Sequence, residues 1–482
     1  MTTLLNDPVT RTRAYFGGEW RSTPRTFEVF YPSTLESIGA VADCTEGDAR
    51  RAIDAAELAL KEWRRVNPYQ RGKILRKWHD LMFERKEDLA RLMTLEMGKP
   101  ISETRGEVHY AASFIEWCAE EAGRISGERV SLRMGNKRGL TAQEPVGIVY
   151  AVTPWNFPAG MITRKAAPAL AAGCVMILKP AEQSPMTALY LAELWLEAGG
   201  PANTLQVLPT SDAAALTAPF MEDERVRKLT FTGSTAVGRL LYQQAARTLK
   251  RVSLELGGHA PFLIFADADL ERAAREVVGS KFRNAGQTCI STNRVYVQRE
   301  VADEFTRILT EKTAKLRLGD PLSDDTGVGP VVEQAGLDKV KAHVEDALSR
   351  GARATVGGSV QGGLYFQPTV LTDVDPDSLI LREETFGPVA PVVVFDTEEE
   401  GLRLANDSEY GLAAYAYTRD LSRAWRVAEA LEYGIVGIND GVPSAGAPHV
   451  PFGGMKNSGV GREGGHWGLE EYLETKFISM GV

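Results

Sequence analysis

From residue 146 onward the chain alternates short apolar runs with longer helical segments. The segments between the runs are about 10 to 15 residues long and rich in alanine or charge, which is typical of parallel strands joined by helices. The runs are at 146–152, 174–178, 204–208, 228–231, 260–265, 293–298 and 391–395. The sequence therefore predicts an α/β fold in two parallel series, with the second beginning near Gly257.

Composition narrows the class of protein. The 482 residues suffice for two or three domains, and 44% hydrophobic with 25% charged residues is typical of a soluble globular chain. The net charge is −9, and no basic stripe suggests nucleic acid. No apolar segment approaches the length of a membrane span, and the N-terminus lacks the apolar core of a signal peptide. We expect a cytoplasmic protein that binds neither nucleic acid nor membrane.

The four cysteines, Cys44, Cys118, Cys174 and Cys289, lie far apart without metal-ligand spacing, so we expect reduced thiols and no metal site. Cys289 differs from the others because it lies in the polar stretch KFRNAGQTCIS, downstream of Lys281 and Arg283. A free thiol is only partly ionised at neutral pH, so a nucleophilic cysteine needs positive surroundings or a base. The residues alone leave two interpretations: a nucleophile on a loop, or one more buried thiol.

Two other polar residues follow predicted strands. Glu255 ends an apolar strand in VSLELGGHAP, where burial would raise its pKa towards that of a useful general base. Asn156 lies in PWNFP, directly after the strand at 146–152, where an amide can donate to a developing oxyanion. A satisfied structural glutamate and an ordinary turn asparagine are the alternatives.

Two turns suit a nucleotide. KLTFTGSTAVG (228–238) reads as a strand, a glycine turn and a helix N-terminus, where free N–H groups attract phosphate. In ILKPAEQSP (177–185), Lys179 and Glu182 follow a strand and are placed to reach ribose hydroxyls. A carboxylate at that point repels a 2′-phosphate and so favours NAD over NADP. A tight turn and a solvated loop pair remain the alternatives.

Seven motifs resemble those of the aldehyde dehydrogenase superfamily. They occur in that family's order and extend over essentially the whole chain. They are PWNFP, LKPAE, FTGST, LELGG, FRNAGQTC, EETFGP and PFGG. The resemblance implies a Rossmann-like cofactor domain, an α/β catalytic domain and a small β oligomerisation arm, assembled as a dimer or tetramer. The implied bounds are 1–123 with 141–256 for the cofactor domain, 257–466 for the catalytic domain, and 124–140 with 467–482 for the arm.

The resemblance also assigns roles. It makes Cys289 the nucleophile, Asn156 and the Cys289 N–H the oxyanion hole, and Glu255 the general base. It pairs Lys165 with Glu474 in a proton path. The residues it assigns to the cofactor are Trp155, Asn156, Lys179, Glu182, Gly233, Ser234, Leu256, Glu384 and Phe386.

Among aldehyde dehydrogenases the chain looks most like the succinate-semialdehyde dehydrogenases. That likeness implies that Arg164, Arg283 and Ser444 hold the carboxylate at the far end of the aldehyde. Glu182 stands where NADP-using relatives have a small residue, so we expect NAD to be preferred and NADP to be possible. Glutarate or 2-oxoglutarate semialdehyde is an alternative substrate. A cysteine-dependent hydrolase, or a binding protein that has lost its chemistry, is a more distant alternative.

Overall fold

The computed structural model describes residues 11–443 and 447–482. In the first half of the chain the strands are β1 (Ala14–Phe16), β2 (Glu19–Arg21), β3 (Thr26–Phe30), β4 (Ser37–Ala42), β5 (Arg129–Val130), β6 (Lys137–Pro145), β7 (Ile148–Val152), β8 (Val175–Lys179), β9 (Leu205–Val207), β10 (Val226–Thr232) and β11 (Arg251–Glu255). The helices there are α1 (Glu46–Trp63), α2 (Pro68–Glu84), α3 (Lys86–Met97), α4 (Ile101–Ala122), α5 (Pro158–Ala172), α6 (Pro185–Glu197), α7 (Ala213–Glu222) and α8 (Thr235–Ala246).

The second half begins with a buried strand and ends with an exposed one. Its strands are β12 (Ala260–Ile264), β13 (Thr292–Gln298), β14 (Arg353–Val356), β15 (Val360–Gly362), β16 (Tyr365–Phe366), β17 (Thr369–Thr372), β18 (Val389–Phe395), β19 (Tyr410–Gly411), β20 (Ala413–Tyr417), β21 (Ile435–Ile438), β22 (Met455–Lys456), β23 (Gly459–Val460) and β24 (Leu473–Gly481). Its helices are α9 (Leu270–Phe282), α10 (Ala302–Thr313), α11 (Gln334–Ser349), α12 (Leu379–Arg382), α13 (Glu398–Asn406), α14 (Leu421–Ala430) and α15 (Gly465–Glu470).

Two large sheets form the core of the molecule. The first has the order β2-β1-β9-β8-β7-β10-β11-β23, and the second has the order β14-β17-β18-β13-β12-β20-β21. Strands β9 to β11 of the first sheet are mutually parallel, as are β17 to β21 of the second. Each predicted apolar run became one of these strands, so the prediction of an α/β fold with two parallel series is confirmed.

The apolar runs form parallel strands because helices cover the sheet. Strand β8 is buried along its whole length, and so is α5, which packs beside it. Pro158 begins α5, where the missing N–H costs no hydrogen bond, and Gly173 ends it in a left-handed conformation (φ 92°). This helix connects the loop that holds Asn156 to the next strand of the sheet.

A third sheet of order β24-β6-β5 lies at the end of the chain. Strand β24 pairs antiparallel with β6 from Leu473 against Pro145 to Gly481 against Lys137. Strand β24 lies within the segment 467–482 that the resemblance assigns to the arm, and β5 lies within 124–140. Strand β6 also continues beyond residue 140. The division into domains stays a prediction, but these strands are the ones expected to form the arm.

The topology gathers the predicted site at one place. The loop with Asn156 follows the carboxyl end of β7, and Glu255 is the last residue of β11, in the same sheet. The loop with Cys289 enters β13 of the second sheet. In open parallel sheets ligands bind beyond the carboxyl ends of the strands. Among the helices of the described residues, none has the length and apolarity that a membrane span requires.

Candidate active site

Cys289 follows a loop whose backbone is tightly constrained. Asn284 and Ala285 have φ of 52°, and Gly286 has φ of 77°. A Cβ on Gly286 would lie 2.1 Å from the carbonyl oxygen of Gly387, so only glycine fits there. The Gln287 side chain donates to the Asn284 carbonyl (2.9 Å) and accepts from the Val332 N–H (2.9 Å). These bonds fix the loop just before the thiol.

The thiol faces a cavity of about 390 Å³. Much of its wall is apolar, from side chains that include Phe157, Met161, Ile290 and Phe452. Burial raises the pKa of Cys289 to about 12, although the positive charges of Arg164 and Arg283 oppose the rise. The resting thiol is therefore protonated at neutral pH. The four cysteines form no disulfide, and the other three are buried.

Glu255 is buried at the end of β11, and its Oε2 has no hydrogen-bond partner among the described residues. Burial, reinforced by the negative charge of Glu463, raises the pKa of Glu255 well above its usual range. A raised pKa makes the ionised carboxylate a stronger proton acceptor. A Cβ on Gly453 would lie 3.0 Å from Oε1, so the glycine leaves room for this side chain.

Asn156 is buried and links the two sheets. Its Nδ2 donates to the carbonyl of Gln287 (3.2 Å), two residues before Cys289. Its Oδ1 has no partner among the described residues. An amide nitrogen carries two hydrogens, so the second is available to another acceptor. The structure thus brings Asn156 next to the Cys289 loop, as an oxyanion donor requires.

Two arginines line the cavity together with Cys289, but their surroundings differ. Arg164 is buried, forms an ion pair with Glu463 and lies 4.0 Å from the centre of the Phe452 ring. Arg283 lies 5.3 Å from the centre of the Phe157 ring, and its Nε is buried without a hydrogen-bond partner among the described residues. Arg283 is therefore the cation more available to an anionic ligand. Ser444 lies outside the described residues.

Lys281 contributes less to the thiol than its place in the sequence suggests. Its ammonium is fully buried and donates to Asn293 (2.8 Å), and it does not line the cavity. Burial lowers the pKa of Lys281 to about 7. The expectation that Lys281 helps to activate Cys289 is therefore wrong, because its side chain turns towards β13.

The turn after β10 has the form of a phosphate cradle. A Cβ on Gly233 would lie 2.5 Å from the Phe231 ring, and Ser234 caps α8 by accepting from the Val237 N–H (3.4 Å). Gly238 allows α8 to pack on Leu256, whose side chain would be 2.3 Å from an added Cβ. The turn thus places the N-terminus of α8, where anions are favoured, directly after β10.

The remaining predicted cofactor residues lie at two other edges of the cleft. Lys179 donates to Glu182 (3.1 Å) at the carboxyl end of β8, and the Glu182 side chain is half exposed. Glu384 accepts from the Gly258 N–H (3.0 Å), and burial raises its pKa to about 7. Trp155 and Phe386 form an edge-to-face pair at 5.6 Å. A lysine and a carboxylate at a strand end, and a carboxyl beside two rings, can bind the polar and planar parts of a nucleotide.

The expected pair of Lys165 and Glu474 is not brought together. Lys165 is fully buried, forms an ion pair with Glu463 and donates to Thr230 (3.2 Å). Glu474 lies exposed on β24 and pairs with Arg251 (3.3 Å). The reason is that β24 leaves the core to pair with β6. Although burial opposes its ionisation, Lys165 and Arg164 hold the pKa of Glu463 below its usual value.

The sequence analysis missed the polar face of α4. Glu103, Glu107 and Tyr110 from this helix line the cavity, together with Lys99 just before it. The available signal was the spacing of Glu103 and Glu107, which places two carboxylates on one helix face. Glu463 gave no such signal, since nothing in the local pattern distinguishes it from Glu474.

We predict that Gly258→Ala displaces Cys289. An added Cβ would lie 2.2 Å from the Cys289 carbonyl oxygen and 3.3 Å from the Leu412 side chain, so the main chain at the thiol must move. The expected result is a lower melting temperature and an altered rate of alkylation at Cys289, measured by mass spectrometry.

The matched control is Gly279→Ala, where an added Cβ meets no atom within 4 Å on the exposed side of α9. Because alanine favours a helix over glycine by about 0.5 to 1 kcal/mol, this variant is expected to be as stable or slightly more so. Equal behaviour of the two variants would contradict the close packing of Gly258 on Cys289.

Comparison with known proteins agrees with this arrangement. The sequence model of the family described as "Aldehyde dehydrogenase family" matches residues 20–478. A succinate-semialdehyde dehydrogenase of Escherichia coli (strain K12), named with NADP(+), is 50% identical over 99% of this chain and 100% of that protein. A glutarate-semialdehyde dehydrogenase of Pseudomonas putida is 49% identical over 98% of both chains.

A solved succinate-semialdehyde dehydrogenase of Burkholderia pseudomallei superposes with a TM-score of 0.97 at 48% identity, covering 99% of this chain and 100% of the other. The fold, the ordered motifs and these likenesses agree over the full described length. The chain therefore belongs to the aldehyde dehydrogenase family.

Proposed function

We propose that this enzyme oxidises a short aldehyde that carries a carboxylate, with succinic semialdehyde first and glutarate or 2-oxoglutarate semialdehyde as alternatives. The observation that carries the proposal is the position of Arg283. Its guanidinium lines the same cavity as Cys289, and its Nε is buried without a hydrogen-bond partner among the described residues. The relatives named for succinate and glutarate semialdehydes support the same class of substrate.

The carboxylate of the substrate supplies a hydrogen-bond partner and a counter-ion for Arg283. Hydrogen bonds to charged groups contribute about 1.5 to 3 kcal/mol each, more than neutral ones. Arg164 already has Glu463 as its counter-ion, so Arg283 makes the larger contribution to recognising the substrate. The apolar rings of Phe157 and Phe452 surround the short carbon chain between the two ends.

Cys289 is the nucleophile. The thiol proton leaves to a water molecule in the cavity, and the two arginines stabilise the thiolate against the effect of burial. The thiolate attacks the aldehyde carbon, and the carbonyl oxygen becomes an oxyanion. Asn156 Nδ2 and the Cys289 N–H donate to this oxygen, and one such donor contributes about 2.7 to 4 kcal/mol to lowering the barrier.

A dinucleotide, when bound, would supply the nicotinamide ring as the hydride acceptor. Gly233, Ser234 and the first turn of α8 would hold its phosphates, and Lys179 with Glu182 would hold a ribose. Glu384, Phe386 and Trp155 lie at the other end of the cleft. The carboxylate of Glu182 repels a 2′-phosphate, so we propose that NAD is preferred and NADP is accepted. The E. coli relative is named with NADP(+), so the preference of this chain calls for a direct test at Glu182.

Glu255 completes the reaction by acting on water. After oxidation the acyl group remains on Cys289 as a thioester, which must be hydrolysed to release the acid. Because burial raises the pKa of Glu255, its carboxylate, once ionised, is a stronger acceptor for the water proton. The water oxygen then attacks the thioester carbon, and the Cys289 sulfur leaves as a thiolate.

We further propose a cytoplasmic homo-oligomer. A reactive thiol and three free buried cysteines suit a reducing compartment. The arm strands β6 and β24 expose apolar side chains, including Leu140, Phe477, Ile478 and Met480, which a neighbouring subunit would cover.

The first prediction concerns the far end of the substrate. Arg283→Gln is expected to lower kcat/KM for succinic semialdehyde by about tenfold or more, since about 1.4 kcal/mol corresponds to a factor of ten. Butanal has the same number of carbons but no carboxylate, so its kcat/KM should change little. A matching loss for both aldehydes would return Arg283 to a structural role.

The second prediction concerns the cofactor. Glu182→Ser is expected to raise the ratio of kcat/KM with NADP to kcat/KM with NAD, because the repulsion of the 2′-phosphate is lost. The control is Glu197→Ser on α6, which removes the same charge from a side chain that is equally exposed (47% against 49%). An unchanged ratio in Glu182→Ser would rule out the repulsion.

The third prediction separates the two halves of the reaction. Glu255→Gln is expected to slow steady-state turnover by about 10² to 10⁴, the usual contribution of a general base. Rapid mixing should still show a first burst of reduced cofactor, because the step that Glu255 assists comes after oxidation. Equal losses in burst and turnover would contradict this assignment.

A further inference from the structure

Three ionisable side chains beside the cavity have no part in the proposed reaction. Lys99 lies just before α4, and Glu103 and Glu107 lie on its first two turns. Lys99 and Glu107 form an ion pair in which each side chain is only 1% exposed. A buried ion pair contributes little to stability, because removing two charges from water is costly. The presence of this ion pair beside the cavity therefore needs an explanation other than stability.

Lys99 and Glu107 hold the two ends of the segment that follows β7. The Lys99 ammonium donates to the main-chain carbonyl of Asn156 (2.8 Å). The Glu107 carboxylate accepts from the N–H groups of Ala159 (2.9 Å) and Gly160 (3.2 Å). These N–H groups belong to the first turn of α5, where no helix carbonyl is available to them. One ion pair therefore fixes the main chain from Asn156 to Gly160.

The same helix also holds the loop that carries the thiol. Glu103 accepts from the N–H of Asn284 (2.9 Å), whose backbone is left-handed. The Asn284 side chain then donates to the carbonyls of Asn156 (3.1 Å) and Gln287 (3.2 Å). The beginning of α4 thus contacts both loops that form the proposed oxyanion hole.

We propose that Lys99 and Glu107 are positioning residues, which hold the Asn156 main chain so that its side-chain amide faces the aldehyde oxygen. The side chain of Asn156 is weakly held by its own contacts, a single bond of 3.2 Å from Nδ2 and none to Oδ1 among the described residues. Its orientation therefore depends on the main chain. This inference rests on the proposed function, because it concerns the oxyanion hole.

The test is a double-mutant cycle between the ion pair and Asn156. Lys99→Met combined with Glu107→Gln removes both charges together, leaves no unpaired buried ion, and keeps an acceptor for the N–H groups of α5. The expected result is a fall in the rate of hydride transfer by about 10- to 100-fold, since small misplacements of a catalytic group cost up to about 100-fold. The KM for succinic semialdehyde should change much less than kcat.

The triple variant, which also carries Asn156→Ala, should transfer hydride no more slowly than Asn156→Ala alone, because the ion pair acts through Asn156. Losses that multiply would overturn the inference. An Asn156→Ala enzyme of normal rate would overturn the proposed oxyanion hole as well, so the two failures are distinguishable. Where the combined variant does not fold, Glu107→Asp repeats the cycle with the same two outcomes, because it keeps the charge of the pair and withdraws the carboxylate from the N–H groups of α5.

Glu96→Gln is the matched control. Glu96, near the end of α3, is also a buried carboxylate that binds the start of another helix. It accepts from the N–H groups of Met186 and Thr187 in α6. The Glu96→Gln variant is expected to have a lower melting temperature and an unchanged rate of hydride transfer. Lys99→Arg keeps a cationic donor and should retain more activity than Lys99→Met with Glu107→Gln. A loss in Glu96→Gln equal to that in the ion-pair variant would assign the whole effect to stability.

Discussion

The buried carboxylate of Glu463 determines the charge of the active-site cavity. It pairs with Arg164 and Lys165, both of which are almost inaccessible to water. Buried charges are tolerated when they are paired, and one carboxylate here serves two cations that would otherwise destabilise the fold. It also adds negative charge beside Glu255. The pKa of Glu255 and the charge that Arg164 presents to the cavity therefore both depend on where this carboxylate lies.

Much of the fold follows from local patterns. Short apolar runs separated by helical segments produced the strands β7, β8, β9 and β10 in the expected order, because a strand buried on both faces must be continuously apolar. Turn residues were equally informative: Gly233 and Ser234 occupy the cradle at the start of α8. Asn156 and Glu255 each lie at the carboxyl end of a strand of the first sheet and so share an edge, whereas Cys289 precedes a strand of the second sheet and reaches them only because the two sheets pack together.

Other features depended on distant contacts. Nothing local distinguishes Glu463 from Glu474, and only the path of β24 along the arm shows which of them reaches Lys165. Lys281 and Arg283 are two residues apart, yet one turns towards Asn293 and the other lines the cavity. The side of a loop on which a cation lies is set by its φ and ψ angles, and composition does not give them. The face of α4 belongs to the same class, since its partners come from two separate parts of the chain.

The hydrogen bond from Asn156 to Gln287 joins a loop of the first large sheet to a loop of the second. The buried side chains around the two sheets form separate clusters. The proposed oxyanion site needs the loops from both sheets in contact. Secondary structure can then return in full during refolding while the enzyme is still inactive. Recovery of activity would report the docking of the two halves, and so would be the slower of the two signals.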